Sequence, residues 1–82
     1  MTSRIILLEK LGKSIRSRRL ALGISQEELG NRANLDRTYV SGVERGVRNP
    51  SFTALVKLSE GLGISLSSLL ERTEDQGNSL HG

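Results

Sequence analysis
The chain has 82 residues, no cysteine and one histidine, the penultimate His81, which excludes disulfide frameworks, zinc fingers and thiol or histidine-triad chemistry. This length predicts one small domain, and 35% hydrophobic with 26% charged residues is a globular composition, too apolar for full disorder. Of the net charge of +3, residues 1–50 hold ten Lys or Arg against five Asp or Glu and residues 51–82 hold two against four, a basic front suited to a polyanion, although scatter also produces differences of this size.

The apolar run Ile5-Ile6-Leu7-Leu8 falls far short of the roughly 7–15 residues of a signal segment or the roughly 20 of a membrane span, so a cytoplasmic chain with no membrane contact is expected. Leu8, Leu11, Ile15 and Leu22 recur at helical spacing and Gly23 stops them, predicting a first helix over about 7–22. Arg19 lies on the same stripe. Ser25 and Glu28 form a capping box with Ile24 and Leu29 as hydrophobic staple, which predicts a second helix over about 26–33 that ends at Asn34.

A third helix follows Leu35, with Asp36 as N-cap, and runs to Gly46. Val40, Val43 and Val47 are its expected apolar face, while Arg37, Thr38, Ser41 and Arg45 make the other, with Tyr39 beside them. Arg48-Asn49-Pro50 then breaks the chain. Ser51 caps a fourth helix with Phe52, Leu55, Val56, Leu58 and Leu62 as its stripe, stopped by Gly63. Ser65 caps a short fifth helix over Ile64–Leu70, and residues 72–82 lack periodicity and read as a disordered tail. The expected fold is all-α, five short helices over residues 1–71.

Residues 26–45 meet the physical requirements of a helix-turn-helix: two short helices, a turn of three to four residues, and a polar outward face on the second. Gly30 supplies the small residue where the two helices meet, Asn34 sits at the turn, Leu35 plugs beneath it, and Val40 and Val43 face inward. Ser25-Gln26-Glu27-Glu28-Leu29 through Gly46 resembles the helix-turn-helix of the phage-repressor-like transcriptional regulators. The run Leu35-Asp36-Arg37-Thr38-Tyr39-Val40-Ser41-Gly42-Val43-Glu44-Arg45-Gly46-Val47-Arg48-Asn49-Pro50 is similar to the controller proteins of restriction–modification systems. The resemblance covers roughly residues 8–70. It departs from the general motif at Asn34, where glycine is common, and at Gly30, where alanine is more usual.

Arg37, at the start of the reading helix, is the leading candidate for base recognition, because arginine can pair bidentately with guanine O6 and N7. Thr38, Ser41 and Asp36 lie within reach of the same groove. Tyr39 can face the DNA backbone or lie against the fold, and Arg45, Arg48 and Asn49 are candidate phosphate clamps or ordinary surface polarity. The resemblance implies that Gln26 contacts phosphate and braces the reading helix. Arg19 on an apolar stripe needs a partner, and Glu44, on the inner side of the third helix, is the economical one; the same pair recurs in the repressor-like family. Lys10, Lys13, Arg16 and Arg18 read as a solvated face. Gly42 is explained equally by close packing or by close approach of DNA.

Ile64, Leu66, Leu69 and Leu70 are too many apolar residues for the core alone, and they suggest an interface. The resemblance implies a twofold homodimer there and a roughly palindromic double-stranded operator. It further implies activation by one dimer through RNA polymerase and repression when a second dimer binds cooperatively. A plain phage-type or toxin–antitoxin repressor is the alternative within the class, and a protein-binding helical adapter the alternative outside it. No cofactor or metal is expected, and no cluster of acid, base and nucleophile suggests an enzyme.

Overall fold
The computed structural model describes residues 3–76, which form five helices and no strand: α1 (Arg4–Leu22), α2 (Gln26–Ala33), α3 (Arg37–Glu44), α4 (Phe52–Gly61) and α5 (Leu66–Asp75). Each begins at a side-chain cap that accepts an otherwise orphaned first-turn N–H: Ser3, Ser25, Asp36, Ser51 and Ser65. The expected box at α2 is half built. Ser25 Oγ accepts from the Glu28 N–H at 3.0 Å, but the Glu28 carboxylate turns down the helix to accept from Arg32 Nε, also at 3.0 Å.

Ile15, Leu29, Val40, Val43, Leu58, Leu62 and Leu69 are fully enclosed and bring all five helices to one core. Removing each such side chain from water contributes about 1.5–3 kcal/mol. α2 packs on α3 and α4, α1 on α3 and α5, and α4 on α5. The α2–α3 turn is fixed from both ends. Asn34 takes the left-handed conformation at φ 54°, and Gly30 leaves room for the chain to return, since a Cβ there would lie 2.6 Å from the Leu35 carbonyl oxygen. Gly12 is tighter still: its missing Cβ would sit 2.3 Å from the carbonyl oxygen of Glu44, so α1 and α3 touch backbone to backbone.

Several expectations are corrected. α1 starts at Arg4, ahead of the expected 7, because Ser3 caps it; Ile5, Ile6 and Leu7 stay exposed, so that turn carries no amphipathic signal. Leu22, expected on the inner stripe, lies near the open end of α1 and is exposed. α3 ends at Glu44, and Gly46 turns the chain at φ 76°, which carries Val47 off the helix and into solvent. Phe52, expected on the α4 stripe, is 70% exposed because it occupies the first helical position, outside the turn that meets the core. α5 runs past the expected end to Asp75. Its last turn is anchored by Thr73, buried, whose hydroxyl donates to the Leu69 carbonyl at 2.9 Å. The rest of the expected tail, residues 77–82, lies outside the described residues.

Arg18 does not belong to a solvated face. It is half-buried, and its Nε donates to the Leu62 carbonyl at 3.0 Å, satisfying an open acceptor at the end of α4.

Candidate nucleic-acid interface
Asp36 sets the start of α3. Its Oδ1 accepts from the Thr38 N–H at 2.9 Å and from the Thr38 hydroxyl at 2.7 Å. These two bonds, the hydroxyl first, hold the Asp36 carboxyl below the ordinary value of 3.8. Because the folded carboxyl is the more acidic one, the cap contributes fully above the ordinary value and its contribution fades as pH falls through the lower folded value. Asp36→Ala is therefore expected to lower Tm by a few degrees at neutral pH, with the gap to the parent closing in strong acid. A gap that stays constant down to pH 2 would mean the carboxylate charge is not what caps α3.

With its start fixed in this way, α3 presents Arg37 and Thr38 to solvent from its first turn, followed by the half-buried Ser41 and, at the C-cap, the exposed Arg45. Gln26, at the start of α2, comes up beside them. Gln26, Arg37, Thr38, Ser41 and Arg45 line a single shallow recess. Three of the four residues nominated for base contact and two of the five nominated for backbone contact thus share one open surface. Asp36 lies at its edge as the cap. The other three nominated backbone residues flank the helix. Tyr39 is half-buried against the core, Arg48 stacks its guanidinium over the Tyr39 ring at 5.3 Å, and Asn49 is exposed.

Behind this surface lies the ion pair expected from the sequence. Arg19 donates from Nε to Glu44 Oε2 at 2.6 Å and from Nη2 to Oε1 at 3.0 Å, a two-pronged contact with both side chains buried. The hydrogen bond to Glu44 is the main reason the Arg19 guanidinium is held above its ordinary pKa. Of two further links the first has no sequence signal, because Arg19 and Ile24 have no periodic relation, and the second falls at Gln26, where the resemblance implies a brace on the reading helix. Arg19 Nη1 donates to the Ile24 carbonyl at 2.9 Å, and Gln26 Nε2 donates to Glu44 Oε1 at 3.2 Å. The second link ties the core pair to the outer surface. One Gln26 amide proton is held inward by Glu44, and an amide carries two, so the other is free to face outward. The first-turn N–H groups of α2 lie beside it, and such a helix start favours phosphate.

The interface nominated on the fifth helix is reduced. Leu69 is fully enclosed in the core and cannot face a partner, whereas Leu70 is exposed, and Ile64 and Leu66 are half-buried. Among the described residues no helix is long and apolar enough to cross a membrane, and no grouping of His, Cys, Asp and Glu suits a metal.

A helix-turn-helix family model matches residues 15–69. The chain is 42% identical over 74 residues to the control protein C.BamHI of Bacillus amyloliquefaciens, covering 89% of both chains. In structure it is similar to the restriction–modification controller protein C.AhdI of Aeromonas hydrophila, with a TM-score of 0.74, 47% identity, and 76% of this chain and 94% of that one covered. It is similar also to C.Esp1396I bound to a 19-base-pair DNA duplex, with a TM-score of 0.79, 38% identity, and 85% and 93% covered. The chain belongs to the helix-turn-helix family and, within it, to the controller proteins of restriction–modification systems.

Proposed function
We propose that this DNA-binding transcriptional regulator reads a palindromic operator as a twofold dimer, with α3 in the major groove. The observation that carries the reading is the recess at the start of α3, where Gln26, Arg37, Thr38, Ser41 and Arg45 meet on one open face. Arg37 takes a guanine edge; Thr38 and Ser41 contact neighbouring base edges, and Asp36 lies within reach of the same groove while capping the helix. Gln26, Tyr39, Arg45, Arg48 and Asn49 hold the phosphates on either side. The DNA-bound relative C.Esp1396I supports this choice of ligand. The protein acts in the cytoplasm and carries no catalytic activity: the recess holds an amide, two hydroxyls and two guanidinium groups, but no general base and no activated nucleophile.

Leu70, with the half-buried Ile64 and Leu66, is the proposed apolar contact between protomers. A dimer places two α3 helices at half-sites about 34–36 Å apart, one DNA turn. Filling of one site activates transcription through RNA polymerase, and cooperative filling of a second site represses it, so concentration is the input. The test is a footprint titration on the DNA upstream of the chain's own gene, against a random duplex, at about 150 mM salt. Two adjacent palindromes that fill cooperatively, the first stimulating transcription, are expected. A single site that only represses overturns the activation step, and equal binding to both duplexes overturns base reading. A monomer mass by sedimentation at micromolar concentration overturns the dimer.

A further inference from the structure
The glycines of this fold are not equivalent. At Gly12 and Gly30 the atom nearest an added Cβ is a backbone carbonyl oxygen, 2.3 and 2.6 Å away, so those two positions serve helix packing. At Gly42, in the middle of α3, the three nearest atoms all belong to the Arg48 side chain, with Cγ at 2.5 Å, Cβ at 3.4 Å and Cδ at 3.7 Å. The obstacle there is a flexible stem that rests in the notch of the missing side chain.

Arg48 is held at both of its ends. Its backbone N–H donates to the Gly42 carbonyl at 3.1 Å, alongside the Val47 N–H at 3.0 Å, so its Cα cannot slide along α3. From that anchor the stem crosses Gly42 and brings the guanidinium over the Tyr39 ring at 5.3 Å, within cation–π range. Glycine in a helix interior sacrifices helix propensity relative to alanine, and neither backbone packing nor a left-handed turn requires it at this position.

We propose that Gly42 is a positioning residue that seats the Arg48 stem, so that Arg48 and Tyr39 form one pre-ordered cationic flank of α3 facing the DNA backbone. The proposal rests on the DNA-binding reading above and deepens it. An arginine left to range in solvent must be ordered when it meets a phosphate, and the loss of that freedom subtracts from affinity. Seated in its notch, it meets the phosphate already ordered. An alanine at 42 displaces the stem while improving the helix, so stability and DNA affinity should move in opposite directions.

Tyr39 is the one tyrosine of a chain without tryptophan, so its emission reports directly on what lies over its ring. The experiment compares the parent with Gly42→Ala, Arg48→Ala and the double variant. It measures tyrosine emission of the free protein, Tm, and affinity for operator and random duplexes across a salt series. Gly42→Ala is expected to melt no lower than the parent and to change Tyr39 emission in the same direction as Arg48→Ala. It should bind the operator about three- to tenfold more weakly at the parent's salt slope, because the charge is kept and only its ordering is lost, whereas Arg48→Ala should lower the slope by about one. The double variant should bind no more weakly than the weaker single variant.

Parent emission and parent affinity in Gly42→Ala overturn the proposal, as do single effects that multiply in the double variant. If Gly42→Ala does not fold, the alanine cannot be seated by moving Arg48 alone, and the proposal fails on that result. Unchanged Tyr39 emission in Arg48→Ala fails it independently. A parent that does not prefer the operator strikes the DNA-binding reading instead, since the emission arm involves no DNA.

Discussion

Arg19→Ala is expected to remove about 3–5 kcal/mol of folding free energy, the range for deleting one partner of a buried ion pair. A domain of this length has only about 4–12 kcal/mol in total, so the variant should be largely unfolded at temperatures where the parent is folded. The loss has two local sources. Glu44, with its side chain 2% exposed, would keep only the Gln26 amide at 3.2 Å after losing guanidinium bonds of 2.6 and 3.0 Å. The Ile24 carbonyl, which joins α1 to α2, would lose its donor at 2.9 Å. Denaturant titration should show a lower midpoint with little change in slope. Exchanging both charges together, Arg19→Met with Glu44→Leu, should be less damaging than Arg19→Ala, because no uncompensated charge remains in the interior. A variant with the parent's Tm would show that the pair does not support the fold.

The Arg19–Glu44 pair is legible in the sequence alone. A charge on an apolar stripe demands a partner, and periodicity puts a carboxylate on the inner side of the third helix. Helix starts were legible in the same way at Ser25, Asp36, Ser51 and Ser65, since a cap is a local event that needs only its own first turn. Patterning misled wherever burial depends on a distant neighbour. Leu69 and Leu70 are adjacent leucines; one is enclosed and the other 42% exposed, and only the path of α1 and α4 past α5 decides between them. Phe52 and Val47 fail for the same reason, being apolar residues at element ends beyond the reach of the core. The early start of α1 is not legible in the sequence because its first turn has no partner to bury against, so it carries no hydrophobic period.

The candidate site follows the same division. Arg37, Thr38, Ser41 and Arg45 are close in sequence on one short helix, and their common face follows from helical geometry once Asp36 is taken as the cap. Gln26 joins them only through the turn at Asn34, and its bond to Glu44 spans 18 residues. That bond makes the core and the outer surface one network, since the carboxylate that satisfies Arg19 also holds the Gln26 amide. Gly42 was ambiguous in sequence because the feature it accommodates, the Arg48 stem, returns from beyond the end of α3.

Arg37→Ala is expected to leave the fold intact and to lower operator affinity by about 1–3 kcal/mol, a factor of roughly 5 to 150, with most of that loss absent on random DNA. The Arg37 side chain is exposed and makes no hydrogen bond or ion pair among the described residues, so its removal should leave Tm close to the parent's. The informative comparison is with Arg45→Ala. Both arginines line the same recess and carry the same charge, so a purely electrostatic role would make the two variants alike on every duplex. Position separates them. Arg37 stands on the first turn of α3, the part that enters the major groove in the proposed complex, whereas Arg45 is the C-cap at its far end, nearer the phosphates in that arrangement. Arg45→Ala should weaken operator and random duplexes by similar factors and reduce the salt slope by about one. Arg37→Ala should reduce the ratio between them and lose the preference at the guanine proposed as its partner. If both variants lower both affinities in parallel, the recess is a phosphate-binding surface, and base reading must be carried by Thr38 and Ser41.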